Sequence, residues 1–403
     1  MRVLCVNSVF SEFGGVEFAA VNLAERLAER GHSVHFLAAL GANIQLQPQR
    51  GAAARPSRVQ VHKRRFPRIF ALGEKHGGIK KLVWHLQNLA HPENERQFRS
   101  VLEEVRPDIC LLHNVTGIGM NIWRTLAAAE LPTVQVIHDL GLVCVNMSRF
   151  RGGRQCNGLC LPCRAQKAFR FSAIDGKRTF AFVSPSRATL DITRNFVNLD
   201  QWDCAVIPNA NSFVVETRRA RESGPPHILY VGRIDPSKGL DVAVRAADLA
   251  SAKEDFVFDV LGTGSQEQTL RAEFADRHWL KFHGSVNQAD VARMMANASV
   301  LVVPSLWPET VPGVAVHALY AGLPVIGSDI GGIPEHVFDE VTGCLVSPGQ
   351  VLDWRDAILR ALRNPDLLEG WSAASLAKSH LFSAEIATDA YEQFMLRQIG
   401  KVS

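Results

Sequence analysis

No run of about 18 apolar residues occurs in the 403-residue chain, so no membrane-spanning helix is expected. Excess charge of one sign is also lacking. Lys and Arg number 44 against 40 Asp and Glu, a net of +4 that argues against nucleic acid as a partner. Cysteine is too sparse for a secreted disulfide framework, with eight residues in a chain of this length. Three of them, Cys5, Cys110 and Cys204, lie in apolar runs and read as inert core. The dinucleotide fingerprint G-x-G-x-x-G is missing after the first apolar run, where the sequence reads Ser11-Glu12-Phe13-Gly14-Gly15-Val16-Glu17. NAD is therefore not expected there. The N-terminal MRVLCVNSVF reads as a buried strand, not a signal peptide, and a cytoplasmic location is expected.

What remains is a globular composition, 47% hydrophobic and 21% charged, in a chain long enough for two cores. Short β-branched runs at 3–9, 33–39, 58–62, 108–113, 133–139 and 180–184 alternate with helical patterns at 16–30, 79–105, 118–129 and 186–196. A polar stretch ending in Gly224, Pro225 and Pro226 breaks the series. A second series follows, with strands at 227–232, 256–262, 280–284, 300–304 and 324–328 and helices at 238–252, 266–278, 288–297 and 312–321. The alternation predicts an α/β chain of two doubly wound, Rossmann-like parallel-sheet domains facing across a cleft. Residues 1–207 form the first, 208–226 the linker and 227–380 the second. Residues 381–403 form a closing helix without a following strand to use it. Its apolar positions Ile386, Ala387, Tyr391, Phe394 and Met395 recur at helical spacing and are expected to return to the first domain.

Two segments carry the chemistry. Gly232-Arg233-Ile234-Asp235-Pro236-Ser237-Lys238-Gly239 follows a strand directly, so two cations and the free amides of a helix start can converge on one anion. Pro304-Ser305-Leu306-Trp307-Pro308-Glu309-Thr310-Val311-Pro312-Gly313-Val314 places a carboxylate just past another strand, where it can meet sugar hydroxyls, ahead of amides that open a helix. Taken singly, each is also compatible with a solvated turn or an ordinary acidic helix start.

Together the two segments resemble the retaining glycosyltransferases of family 4, which have the GT-B fold. The resemblance continues through Gly262-Thr263-Gly264, His283-Gly284-Ser285-Val286, Ala298-Ser299-Val300, Gly331-Gly332-Ile333-Pro334-Glu335 and Gly343, and through Gly14-Gly15-Val16-Glu17 and Val206-Ile207-Pro208-Asn209. It implies a hexosyl transfer from a nucleoside-diphosphate sugar to an acceptor hydroxyl, with catalysis needing no metal. Arg233 and Lys238 would bind the donor diphosphate, Glu309 and His138 would lie by the transferred sugar, and Gly14 and Gly15 would form a loop near the phosphates. The wider donor set implied is Gly232, Gly264, Val286, Val311, Pro312, Gly313, Val314 and His317. The family usually carries a glutamate where this chain has His317. An imidazole cannot give two acceptor contacts to a ribose, so a glutamate restored at 317 is expected to tighten donor binding modestly.

The resemblance further implies a UDP- or GDP-sugar donor, a sugar or lipid-linked glycan acceptor, and a place in cell-surface polysaccharide or glycolipid assembly. A nucleotide-sugar epimerase and a catalytically silent nucleotide-sugar binding protein are the alternatives. Two further constellations stand apart. Cys144, Cys156, Cys160 and Cys163 have a spacing that suits a structural zinc, with reduced surface thiols or a redox-sensitive pair as competing readings. The stretch 61–86 interleaves Lys63, Arg64, Arg65, Arg68, Lys80 and Lys81 with Phe66, Phe70, Leu82 and Trp84. It fits either peripheral contact with an anionic membrane, at its inner face, or a solvated helix face.

Overall fold

Apolar runs flanked by turn residues become strands buried on both faces, and the chain uses them to build two separate parallel sheets. The computed structural model describes residues 1–8, 10, 15–39, 58–66, 83, 87–152, 154–218 and 224–402. The first sheet contains β1 (Arg2–Asn7), β2 (Ser33–Ala39), β3 (Gln60–Arg64), β4 (Ile109–Leu112) and β5 (Thr133–Val136). After a small antiparallel hairpin, β6 (Phe150–Arg151) and β7 (Arg154–Gln155), it is completed by β8 (Phe180–Ser184) and β9 (Asp203–Val206). Its order is β3-β2-β1-β4-β5-β8-β9. The second sheet contains β10 (His227–Val231), β11 (Val257–Leu261), β12 (Leu280–Gly284), β13 (Val300–Val303), β14 (Val325–Ser328) and β15 (Gly343–Val346), ordered β12-β11-β10-β13-β14-β15.

Alternation within each strand explains the layers. In β1, Val3 and Cys5 face one apolar cluster while Leu4 and Val6 face another, all fully buried. In β10, Ile228 and Tyr230 join one cluster and Leu229 the other. Helices cover both faces, as a sheet without a solvated side requires. They are α1 (Gly15–Glu29), α2 (Pro92–Val105), α3 (Ile122–Ala128), α4 (Leu161–Phe171) and α5 (Arg187–Arg194) on the first sheet. On the second are α6 (Leu240–Ser251), α7 (Glu267–Glu273), α8 (Gln288–Asn297), α9 (Gly313–Ala321), α10 (Val351–Arg363) and α11 (Pro365–Lys378). The helix expected over 79–105 is interrupted. Pro92 opens α2 behind an extended His91, whose ring accepts the Glu93 amide.

The last helix, α12 (Ala384–Gly400), buries Ala387, Tyr391, Phe394 and Met395 in the cluster that holds Val3, Cys5 and the inner face of α1. Burial of each large side chain contributes roughly 1.5–3 kcal/mol. Polar contacts flank the seam: Arg30 and His32 both meet Glu392 at 2.9 Å, and Gln398 donates to Asp203 at 2.8 Å. Ile386 does not join that apolar stripe; it is 50% exposed.

Both sheets reverse strand order beside their first strand, and such reversal points leave a crevice outside the carboxyl ends. In the second sheet the reversal lies between β10 and β13, paired at Ile228 with Val300 and Leu229 with Leu301. The segments 232–239 and 304–312 therefore leave neighbouring strands side by side.

Candidate active site

Close backbone packing locks those two segments together. Gly239 adopts φ +65°, and a Cβ there would lie 2.0 Å from the Pro304 carbonyl oxygen, so any side chain would force the turn off its neighbour. The Leu306 amide donates to Ser237 O at 2.8 Å. Across this contact Lys238 Nζ reaches Glu309 Oε1 at 2.7 Å, and the Ser305 hydroxyl donates to the same oxygen. The ammonium also stands 5.4 Å from the Trp307 ring centre. Glu309 is buried, and its backbone is gripped from behind. Gly331, at φ +59°, lies so close that a Cβ would come within 2.6 Å of Glu309 N and O, and Gly332 N donates to Glu309 O at 2.6 Å.

Arg233 stands at the opening. Its side chain is 70% exposed and meets Asp235 at 2.9 Å. Beneath it Tyr230 donates its hydroxyl to Arg233 O at 2.6 Å. Burial, reinforced by the Glu309 and Asp235 carboxylates, pushes the phenol's pKa up, so it stays a neutral donor that holds the turn.

A cavity of about 800 Å³ opens in front of these groups and is lined from both sheets. The first half contributes Gly15, Phe18, His138 and Asn146–Ser148, the connecting stretch Asn209, Asn211 and Phe213, and the second half Gly232, Arg233, Lys238, Trp307, Glu309, Val311, Pro312, Gly313, Val314 and His317. Of the residues singled out in the sequence, Gly264 and Val286 fall outside the lining. Gly264 packs against the Ile234 backbone, and Val286 is half-buried against the apolar cluster below the sheet. Gly14 lies outside the described residues.

His138 follows β5 at the cleft floor, and His113 follows β4 beside it. His113 Nδ1 and His138 Nε2 are 2.7 Å apart, with the rings stacked at 5.0 Å. Burial pushes His138 down to about 4 and His113 well below the usual imidazole range, so both rings are neutral near pH 7 and share one proton across the bridge. Behind them Arg170 donates to Gly141 O at 2.9 Å, with burial lowering its pKa to about 10. His113 escaped sequence reasoning. A polar residue directly after a buried strand and parallel to the strand ending at His138 was the available signal.

His317 borders the cleft but is already committed. Its Nε2 lies 2.7 Å from Val214 O, and since a carbonyl only accepts, Nε2 carries the proton and Nδ1 is the free acceptor. The ring stacks on Phe213 at 4.7 Å and 12°, and Phe213 in turn meets Phe18 at 5.8 Å. Asn209 and Asn211 contribute side-chain oxygens with no protein partner. The halves also meet directly: Glu335 accepts the amides of Arg187 and Ala188, each at 2.7 Å, and so caps α5 from the opposite half.

Two expectations find no support among the described residues. Among the described residues no three His, Cys, Asp or Glu side chains gather to hold a metal, so the placement of Cys144, Cys156, Cys160 and Cys163 lends no support to the structural zinc that their spacing suggests. Cys160 is exposed while Cys144 and Cys163 are buried. In the basic segment, Phe66 is buried in the first core and so is withdrawn from any membrane face, and Arg64 pairs with Glu104 at 2.5 Å. Arg68, Phe70, Lys80, Lys81, Leu82 and Trp84 lie outside the described residues. No helix among the described residues is long and apolar enough to cross a membrane.

With this geometry established, comparison with known proteins decides the family. A profile described as Glycosyltransferase Family 4 matches residues 13–210, and one described as Glycosyl transferases group 1 matches residues 216–377. The chain belongs to the family 4, group 1 glycosyltransferases. This glycosyltransferase is 25% identical over 363 residues to the phosphatidyl-myo-inositol mannosyltransferase of Mycobacterium leprae (strain TN), covering 90% of this chain and 87% of that one. Its fold matches sucrose-phosphate synthase from Thermosynechococcus elongatus with a TM-score of 0.77 at 19% identity, over 100% of both chains. Anabaena HepE in complex with UDP matches with a TM-score of 0.71 at 15% identity, over 98% of this chain and 100% of that one. Both sheets of this family 4 enzyme are thus those of the GT-B fold, and it uses a nucleoside-diphosphate sugar.

Proposed function

We propose that the enzyme transfers a hexosyl unit, with retention, from a UDP-sugar to an acceptor hydroxyl on a sugar or lipid-linked glycan in cell-surface polysaccharide or glycolipid assembly. The observation that carries this reading is the convergence of Arg233, Lys238, Glu309 and the amides opening α9 on one side of the cleft, opposite His138. The donor diphosphate takes Lys238 and Arg233, and negative charge developing on the leaving phosphate meets two cations and a helix start. Lys238 is held ready by Glu309. Both protein contacts to that carboxylate fall on Oε1, which leaves Oε2 for a hydroxyl of the transferred sugar.

Neutral His138, oriented by His113, supplies one polar contact to the same sugar without adding charge beside an oxocarbenium-like centre. Residues 1–207 carry the acceptor side and 227–380 the donor side, with 208–226 as linker and 381–403 returning to the first domain. Work at the inner, cytoplasmic face of a membrane suits such an acceptor. UDP is the first nucleotide to test because HepE was solved with it, and GDP is the second.

The test is thermal stabilisation by UDP-, GDP- and ADP-sugars, followed by incubation of the best donor with a glycolipid extract. Stabilisation rises by mass action for the true donor. Labelled sugar moving to lipid with the anomeric configuration kept supports the reading. Release of an epimerised sugar, or binding without transfer, refutes it.

A further inference from the structure

The chemistry of the cleft leaves the cysteine-rich loop unused, yet the loop ends at the cleft. Cys160 immediately precedes α4 and its thiol is exposed, whereas Cys163, one turn on, is buried. Their sulfurs stand 3.3 Å apart. A disulfide bond measures about 2.05 Å, so closure needs an approach of about 1.2 Å, within the reach of side-chain rotation. One thiol open to solvent and a second buried against it is the arrangement of an attacking and a resolving cysteine.

Cys163 also ties the loop to the fold. The Val145 amide donates to Cys163 Sγ at 3.5 Å, and the next three residues, Asn146, Met147 and Ser148, line the cleft. Met147 sits at φ +61° and is held by a bond from its amide to Cys144 O at 3.0 Å. A left-handed non-glycine conformation persists only while its surroundings hold it.

We propose that Cys160 and Cys163 form a reversible oxidation site whose state is felt at the cleft through Val145. The oxidant is a low-molecular-weight disulfide of the glutathione class. Cys160 thiolate attacks one sulfur of the reagent, whose S–S bond breaks and whose first thiol leaves. Cys163, giving up its proton, then displaces the second thiol from Cys160. Two protein S–H bonds and one reagent S–S bond are replaced by one protein S–S bond and two reagent S–H bonds, and two electrons pass to the reagent.

The experiment incubates the full chain with oxidised glutathione, blocks residual thiols, and reads the 155–164 peptide by mass spectrometry. That peptide holds Cys156, Cys160 and Cys163. Loss of two hydrogens with the block left on Cys156 alone, reversed by dithiothreitol, is the expected result. Cys160→Ser should abolish it and leave Cys163 blocked. Deuterium exchange at residues 143–148 should speed by roughly fivefold on oxidation, about the protection that one ordinary hydrogen bond confers. A glutathione adduct stranded on Cys160, pairing with Cys156 or Cys144 instead, or thiols that react only after a chelator releases zinc would each overturn the site. Disulfide formation with unchanged exchange would overturn its link to the cleft.

Discussion

Replacing His317 with glutamate sets two sizeable effects against each other, and the structure decides between them. On the gain side, a carboxylate facing ribose hydroxyls adds charged hydrogen bonds of roughly 1.5–3 kcal/mol. On the loss side, Val214 O forfeits the Nε2–H donor that now meets it at 2.7 Å and faces an anion instead. An acceptor left unpaired costs about 1–3 kcal/mol when buried, the lower end applying to half-exposed Val214, and the lost stack on Phe213 adds about 0.5–1.5 kcal/mol. The carboxylate must also be desolvated among rings. The loss therefore wins. His317→Glu should destabilise the protein by about 3 kcal/mol, lowering Tm by roughly 6–12 °C, and donor affinity should not improve. His317→Gln, which keeps an N–H for Val214 and an acceptor for the ligand, should recover most of the stability. Calorimetric melting and donor titration of both variants make the measurement. A glutamate variant with unchanged Tm and tighter donor binding would refute the account, because it would mean that Val214 and Phe213 do not govern the side chain.

Arg233→Ala and Lys238→Ala should each lower turnover by about 10²–10³ with the fold intact, as measured by circular dichroism and steady-state kinetics at saturating donor. Near-normal turnover in either variant would remove that residue from the leaving-group role. Stability should fall as pH drops from about 6.5 towards about 4, because unfolded imidazoles take up protons that buried His113 and His138 refuse. Relative to His138→Gln, the wild type should lose about 2–3 kcal/mol more between pH 7 and 4.5 in urea melts, and equal losses would contradict a neutral buried His138. Glu335→Ala should remove the cap from α5 at a cost of about 1 kcal/mol and enlarge the radius of gyration in solution scattering. An unchanged scattering profile would show that this carboxylate does not hold the halves together.

Much of the architecture was legible because it is written in local pattern. The runs at 3–9 and 227–232 became β1 and β10, and Gly239, Gly331 and Gly332 mark close backbone approaches that no larger residue tolerates. The short strands β9 and β15 escaped notice: each has four residues, and their pairing depends on β8 and β14, not on their own periodicity. The break before α2 was missed although Pro92 announces it, because the apolar spacing runs on across it. Side-chain partnerships were the least legible. By resemblance His317 stands where the family carries its ribose-binding glutamate, but the sequence does not reveal that Val214, 103 positions away, already holds its ring. The four cysteines are close in sequence, which does not determine how their side chains point.

The return of α12 has a mechanical consequence. The backbone passes between the halves twice, once through the stretch after β9 and once between α11 and α12. Two tethers fix a line, and rotation about that line is the motion that strains neither of them. Twisting or sliding of one half over the other would stretch a tether or drag Tyr391 and Phe394 from their seats. Any opening of the cleft that keeps both tethers would therefore be a rotation along one spine, and reversing it would bring Lys238 and Glu309 back to face His138 in the same alignment.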